Sequence, residues 1–102
     1  MNVPVVVTPA ARQDIFDLAD YLAEQSLEVA EYFLDQVEKT FERLSQMPEI
    51  GSLCRLTRSD VENVRVWPVG NFSKHLIFYR LEKERILVIR IMHGSQDWMS
   101  YL

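Results

Sequence analysis

Among its 102 residues the chain has one cysteine, Cys54, so no disulfide can form within it. No Cys/His spacing suggests zinc, and neither a metal nor a cofactor is expected. Long apolar runs are missing as well: nothing approaches the roughly 18 consecutive apolar residues that span a bilayer. The opening Met1-Asn2-Val3-Pro4-Val5-Val6-Val7 lacks a basic region and is too short for a secretion signal. A cytoplasmic protein is therefore expected. Repeats, linkers and low-complexity stretches are absent, and the length suits a single domain over residues 1–102. Apolar content of 48% and charged content of 25% argue against disorder.

A strong positive field is wanting too. Net charge is −4, with a pI near 5.1. A protein that docks inside a ribosome ordinarily needs positive charge to offset phosphate repulsion, which counts against RNA as the main partner. The charge is also unevenly spread. Residues 1–51 carry three basic side chains (Arg12, Lys39, Arg43) against ten acidic ones, whereas residues 52–102 carry eight basic against five acidic. The first half is acidic and the second mildly basic.

Val3 to Val7 reads as a short strand, with Pro4 suited to its first residue or to an edge. Thr8-Pro9 marks a helix start, a threonine cap followed by proline where the missing N–H costs nothing. Ala11, Ile15, Leu18, Ala19 and Leu22 then recur at three and four residues as one apolar stripe. Asp14, Asp17, Asp20 and Glu24 are assigned to the water-facing side, as a solvated face and not a metal site. Ser26 caps a second helix that runs to about Gln46, with the stripe Ala30, Phe33, Val37, Phe41 and Leu44, widened by Leu34. Pro48 and Gly51 end it. The short link between the helices implies an antiparallel hairpin.

Residues 52–60 read as a loop, followed by strands at 64–69, 75–81 and 85–93. The last strand has little polar alternation around Leu87-Val88-Ile89 and Ile91-Met92, which suggests a central strand covered on both faces. Glu82-Lys83-Glu84 forms a hairpin turn with no Gly or Asn to fix its type. A one-residue slip would exchange Tyr79 and Arg80 between faces. The fold class expected is α+β: a strand and helical hairpin packed on a small, mostly antiparallel sheet, with the first strand parallel to a neighbour.

Several residues invite a functional reading. Arg90, between Ile89 and Ile91, cannot easily stay unpaired. It either reaches a carboxylate, with Asp97 and Glu62 as candidates, or opens onto a groove where a partner supplies the acid. His93 is either a base oriented by Asp97 or a strand-terminal histidine bonded to backbone. His75 is taken as a surface residue, Arg65 and Arg80 as solvent-facing, and Arg55 and Arg58 as ordinary surface charges. Trp67, Trp98 and Tyr101 either anchor an interface or cap the core.

The segments Asp14-Ile15-Phe16-Asp17-Leu18-Ala19-Asp20-Tyr21-Leu22-Ala23, Leu44-Ser45-Gln46-Met47-Pro48-Glu49-Ile50-Gly51, Asn63-Val64-Arg65, Ile77-Phe78-Tyr79-Arg80 and Ile89-Arg90-Ile91-Met92-His93-Gly94-Ser95-Gln96-Asp97 follow one another in order. Together they resemble the RelE/ParE superfamily of toxins from type II toxin–antitoxin pairs, over nearly the whole chain. The tail Gly94-Ser95-Gln96-Asp97-Trp98 departs from the RelE branch, whose ribonucleases use Lys and Arg clusters and a C-terminal tyrosine; Tyr101 here lacks basic neighbours. Resemblance to the ParE branch implies a non-enzymatic toxin that binds DNA gyrase, arrests growth, and is neutralised by a cognate antitoxin. On that reading Arg65, Arg80, Arg90, His93, Asp97 and Trp98 meet the target, and Ile15, Leu18, Leu22, Phe33, Val37 and Phe41 meet the antitoxin. The rivals are a ribosome-dependent endoribonuclease and a non-toxic homologue that still binds antitoxin.

Overall fold

The computed structural model of the chain describes residues 2–54 and 63–95. Strand β1 (Val5–Val7) is a run of three valines, whose branched side chains favour extended backbone. Thr8 ends it. Its backbone stays extended while its hydroxyl accepts from the Ala11 N–H at 3.1 Å, and Pro9 fills the first helical position. Helix α1 spans Pro9–Ala23, and α2 spans Leu27–Gln46 behind the cap Ser26, whose hydroxyl accepts from the Val29 N–H at 3.3 Å. Both helices begin where the sequence places them. Ser45 ties the end of α2 back to the N-terminus, donating its hydroxyl to the Val3 carbonyl at 2.6 Å.

Strands β2 (Ser52–Leu53), β3 (Arg65–Val69), β4 (Phe72–Glu82) and β5 (Arg85–His93) complete a five-stranded sheet in the order β1-β5-β4-β3-β2. Strand β1 runs parallel to β5 and the other pairings are antiparallel, so the class is α+β as expected. Ser52–Leu53, expected within a loop, pairs with Val66 and Arg65 as a two-residue edge strand. The helical hairpin covers one face. Ala11, Ala19, Phe33, Val37 and Leu44 meet Val69, Ile77, Tyr79, Ile86, Val88 and Ile91 in one buried cluster. Val64, Phe78 and Met92 form a second, smaller cluster, with Val66, Leu76, Ile89 and Cys54 half-buried around it.

The unbroken apolar run of β5 has a second cause beside the burial of both faces, Phe78 and Met92 being buried on the side away from the helices. Phe78 pairs with Arg90 and Tyr79 with Val88, which leaves Ile89 as an extra residue in a β-bulge. The bulge shifts the alternation by one position. Val88 and Ile91, three residues apart, therefore both reach the helix-facing core. The register also settles the face of Tyr79, which is fully buried beneath the helices, while Arg80 shares the outer face with Phe78.

Tyr79 is a structural pin. Its hydroxyl accepts from the Gly51 N–H at 2.9 Å and donates to the Pro48 carbonyl at 2.8 Å, fastening the turn after α2 to the sheet. A Cβ on Gly51 would lie 2.6 Å from that hydroxyl, so only glycine fits. The β3–β4 turn is held similarly: Gly70 N–H donates to the Thr40 hydroxyl at 3.0 Å and Asn71, at φ 63°, donates its amide to the Tyr32 hydroxyl at 2.6 Å.

The β4–β5 turn places Lys83 at φ 44° and Glu84 at φ 66°, the doubly left-handed geometry that favours Asn-Gly. Side chains with a Cβ are strained there by about 1 kcal/mol each. The double replacement Lys83→Asn, Glu84→Gly is expected to raise stability by about 1 kcal/mol, or a midpoint several degrees higher on thermal unfolding. An unchanged or lower midpoint would show that this turn carries no such strain.

Candidate partner-binding site at the end of β5

Strand β1 stops at Val7, opposite Val88, so β5 continues from Ile89 to His93 without a paired strand on that side. Helix α1 takes the place of the missing strand. The Thr8 hydroxyl donates to the Ile89 carbonyl at 2.9 Å. Six residues later Asp14 Oδ2 accepts from the Ile91 N–H at 3.0 Å and from Arg90 Nε at 2.7 Å, while Oδ1 accepts from Arg90 Nη2 at 2.8 Å. The pair is bidentate and mostly out of water, with 22% of the Arg90 and 12% of the Asp14 side chain exposed.

Beyond it lies an aromatic pocket end. His75 packs edge-on against Phe33 at 5.4 Å, Phe72 at 5.9 Å and His93 at 5.3 Å between ring centroids. Its Nδ1 is buried without a hydrogen-bond partner. Burial first, and the proximity of His93 second, hold its pKa below the ordinary imidazole value. His93 Nδ1 accepts from the Ser95 N–H at 3.1 Å and lies 2.6 Å from the Ser95 hydroxyl. Two adjoining grooves open along this seam. One, of about 430 Å³, is lined by Leu18, Tyr21, Leu22, His75, His93 and Ser95. The other, of about 200 Å³, is lined by Asp14, Asp17, Leu18, Arg90, Ile91 and Met92. Leu18 borders both.

The sequence model of the family described as "ParE toxin of type II toxin-antitoxin system, parDE" matches residues 5–98. The chain belongs to this family. The fold agrees: a solved structure described as the chromosomal ParDE toxin–antitoxin system from P. aeruginosa superposes with a TM-score of 0.72 at 19% identity, covering 91% of this chain and 97% of that one. A toxin–antitoxin complex, RelBE2 from Mycobacterium tuberculosis, follows with a TM-score of 0.59 at 20% identity, covering 91% of this chain and 99% of the other. No curated protein matches the chain by sequence.

Within this ParE-family fold the three arginines of the expected target surface each have a partner within the chain. Arg90 is paired with Asp14; Asp97 and Glu62, the candidates the sequence offered, lie outside the described residues together with Arg55, Arg58, Trp98 and Tyr101. Asp14 is correspondingly not on the water-facing side. It falls three residues after Ala11 and four before Leu18, at the flank of the apolar stripe, and that spacing is the sequence signal of its turn toward β5. Arg65 is half-buried and donates through Nη1 to the Gly51 carbonyl at 2.7 Å and the Glu49 carbonyl at 3.1 Å. Arg80 Nε donates to Glu82 Oε2 at 2.8 Å, and this bond is the main cause that keeps the Glu82 carboxyl below its usual pKa.

His75 is the other correction. It shares the period-two face of Ile77 and Tyr79, and so turns inward instead of to the surface. His93 is bonded to the backbone N–H of Ser95; Asp97, the partner expected in its other reading, lies outside the described residues. Of the residues expected to meet an antitoxin, Phe33 and Val37 are buried in the core, whereas Ile15, Leu18, Leu22 and Phe41 are half-buried beside it. A buried side chain supports a partner surface from below without touching it. Trp67 packs half-buried against the same core.

Replacing Asp14 by Ala removes three hydrogen bonds at once, two from the Arg90 guanidinium and one from the Ile91 N–H. A loss of about 3 kcal/mol is expected by urea unfolding; a loss below about 0.5 kcal/mol, within the spread of ordinary surface changes, would deny the pair its structural role. His75 gives a pH signature. Its folded pKa is depressed, so the unfolded chain binds the proton more readily and acid favours unfolding. Stability should be complete above about pH 6.5 and fall as pH drops through that value. The variant His75→Phe, which keeps the aromatic packing and removes the partnerless nitrogen, should flatten that slope in thermal unfolding between pH 7.5 and 5.5.

Proposed function

We propose that this toxin acts by binding DNA gyrase and stalling it on cleaved DNA, causing growth arrest in the cytoplasm, and that a cognate antitoxin neutralises it. The family match carries the toxin reading. The pairing of Arg90 with Asp14 supports adhesion over RNA cleavage. Phosphodiester cleavage needs cations available to the scissile phosphate and groups that move protons. Here the arginine nearest the grooves is neutralised by a bidentate carboxylate, Arg80 is held by Glu82, and the net charge of −4 opposes entry into a ribosome.

An antitoxin partner is supported by what the helices leave uncovered. Phe16 is 55% exposed, Tyr21 59% and Leu27 65%, with Val29, Tyr32 and Leu34 also exposed. A concentration of apolar side chains of this kind is usual for a surface that is covered in a complex. Both structural relatives are toxin–antitoxin systems, which points the same way. The antitoxin is proposed to cover the half-buried edge formed by Ile15, Leu18 and Leu22, where an ordering segment can bury enough apolar area to offset its lost entropy. His93, Asp97 and Trp98 remain the proposed target contacts, with Arg65, Arg80 and Arg90 holding their surroundings in shape.

Purified toxin should cause cleaved DNA to accumulate when mixed with gyrase and supercoiled plasmid, and should leave messenger RNA intact on programmed ribosomes. A small antitoxin encoded beside it should restore growth when co-expressed. Cut message with gyrase unaffected would replace this reading with the endoribonuclease one. Harmless expression with retained antitoxin binding would mark a homologue without toxicity.

A further inference from the structure

Where β5 ends, the backbone depends on the protonation state of one ring. Gly94 N–H makes the last bond to β4, donating to the Lys74 carbonyl at 2.7 Å. The next N–H, of Ser95, turns back onto His93 Nδ1 at 3.1 Å. That bond requires a lone pair on Nδ1, because a charged imidazole offers two donors and no acceptor. The Ser95 hydroxyl, 2.6 Å from the same nitrogen, can donate to the neutral ring or accept from the charged one. It therefore offers the proton a place that the backbone N–H cannot.

His75 shapes this choice. It stands edge-on to His93 at 5.3 Å and is wedged against Phe33 and Phe72, with its own Nδ1 buried. Charging both rings at that separation is unfavourable, and charging the ring inside the aromatic cluster is the more costly of the two. The other titratable groups around the pair can be named. Helix α1 brings Tyr21 to the same groove, and Asp17 and Asp14 to the adjoining one, Asp14 already bound to Arg90 of β5. Helix α2 brings the uncharged Phe33, and β4 brings Lys74, next to His75 and exposed. Asp97, four residues beyond His93 in the chain, lies outside the described residues.

We propose that His75 and His93 form a proton-operated latch on the Gly94–Ser95 turn. With both rings neutral the turn is closed by the Ser95 N–H on His93 Nδ1. Uptake of one proton from solvent at that nitrogen breaks the backbone bond, hands the nitrogen to the Ser95 hydroxyl, and loosens the chain where it leaves the sheet. His75 keeps the pair to a single proton. Because both rings and Ser95 line the groove beside Leu18, Tyr21 and Leu22, opening the latch also reshapes that groove. The device is independent of which target the toxin attacks.

The test is a nitrogen-15 and imidazole-proton NMR titration of the full chain from pH 8 to 5. The Ser95 amide shift and the His93 ring should move together with one midpoint, while the His75 ring takes up its proton only at lower pH. Hydrogen-exchange protection of the Ser95 amide, corrected for the intrinsic pH dependence, should fall about ten-fold across the transition. In His93→Phe the Ser95 amide should be unprotected at every pH, with the rest of the spectrum showing a folded chain. A Ser95 amide that ignores the His93 titration, or two rings that each take a proton independently, overturns the proposal.

Discussion

One carboxylate, that of Asp14, closes the seam on which this fold depends. Strand β1 is too short to cover all of β5, and the uncovered stretch presents the buried Ile91 N–H and the mostly buried Arg90 guanidinium to α1. Asp14 accepts from both, in three hydrogen bonds, and the Thr8 hydroxyl takes the neighbouring Ile89 carbonyl. Each such group left unsatisfied would cost roughly 1–3 kcal/mol, more for the charged one, against a total stability of only about 5–15 kcal/mol for a small domain. The direction of α1 follows. A helix that starts at Thr8 and must present Asp14 to Ile91 has little freedom in where it lies on the sheet.

The same pairing shapes what the protein can do. It removes Arg90 from the pool of cations that could grip a phosphate, as Glu82 does for Arg80 and the carbonyls of residues 49 and 51 do for Arg65. The arginines of this ParE-family toxin thus stiffen the rims of its surface. Among the described residues, what lies open to partners beside these arginines is largely apolar and aromatic: the exposed Phe16, Tyr21, Leu27 and Tyr32 of the helices, and the grooves around Leu18 whose floor is the end of β5. Acidic side chains crowd the helical half, so a segment docking there meets negative charge around an apolar centre. Such a surface suits protein partners better than a nucleic acid backbone.

Local chemistry made the elements legible in the sequence. Thr8-Pro9 and Ser26 announce their helix starts through caps that depend only on neighbouring residues, and the stripes of α1 and α2 follow from their period. Pro4 is compatible with the edge strand that it precedes. The bulge at Ile89 was hidden because a shift in alternation and a strand covered on both faces leave the same trace in the sequence. The partner of Arg90 was hidden for a related reason. Asp14 is 76 residues away along the chain, and nothing local distinguishes it from Asp17 except its place beside the stripe. His75 was readable from its period-two relation to Ile77 and Tyr79. Its polarity argued for the surface, but the aromatic rings of Phe33 and Phe72 accept it in a half-buried site.

The most direct test of the seam is native-state hydrogen exchange at the Ile91 amide, in the wild type and in Asp14→Ala. In the wild type this amide should exchange only through global unfolding, as slowly as the slowest core amides of β4. In the variant it should exchange through a smaller, separate opening, and the first turns of α1 should lose protection with it. If Ile91 exchanges quickly in the wild type, or if removing the carboxylate leaves Ile91 and α1 equally protected relative to the core, then α1 is held by something other than Asp14.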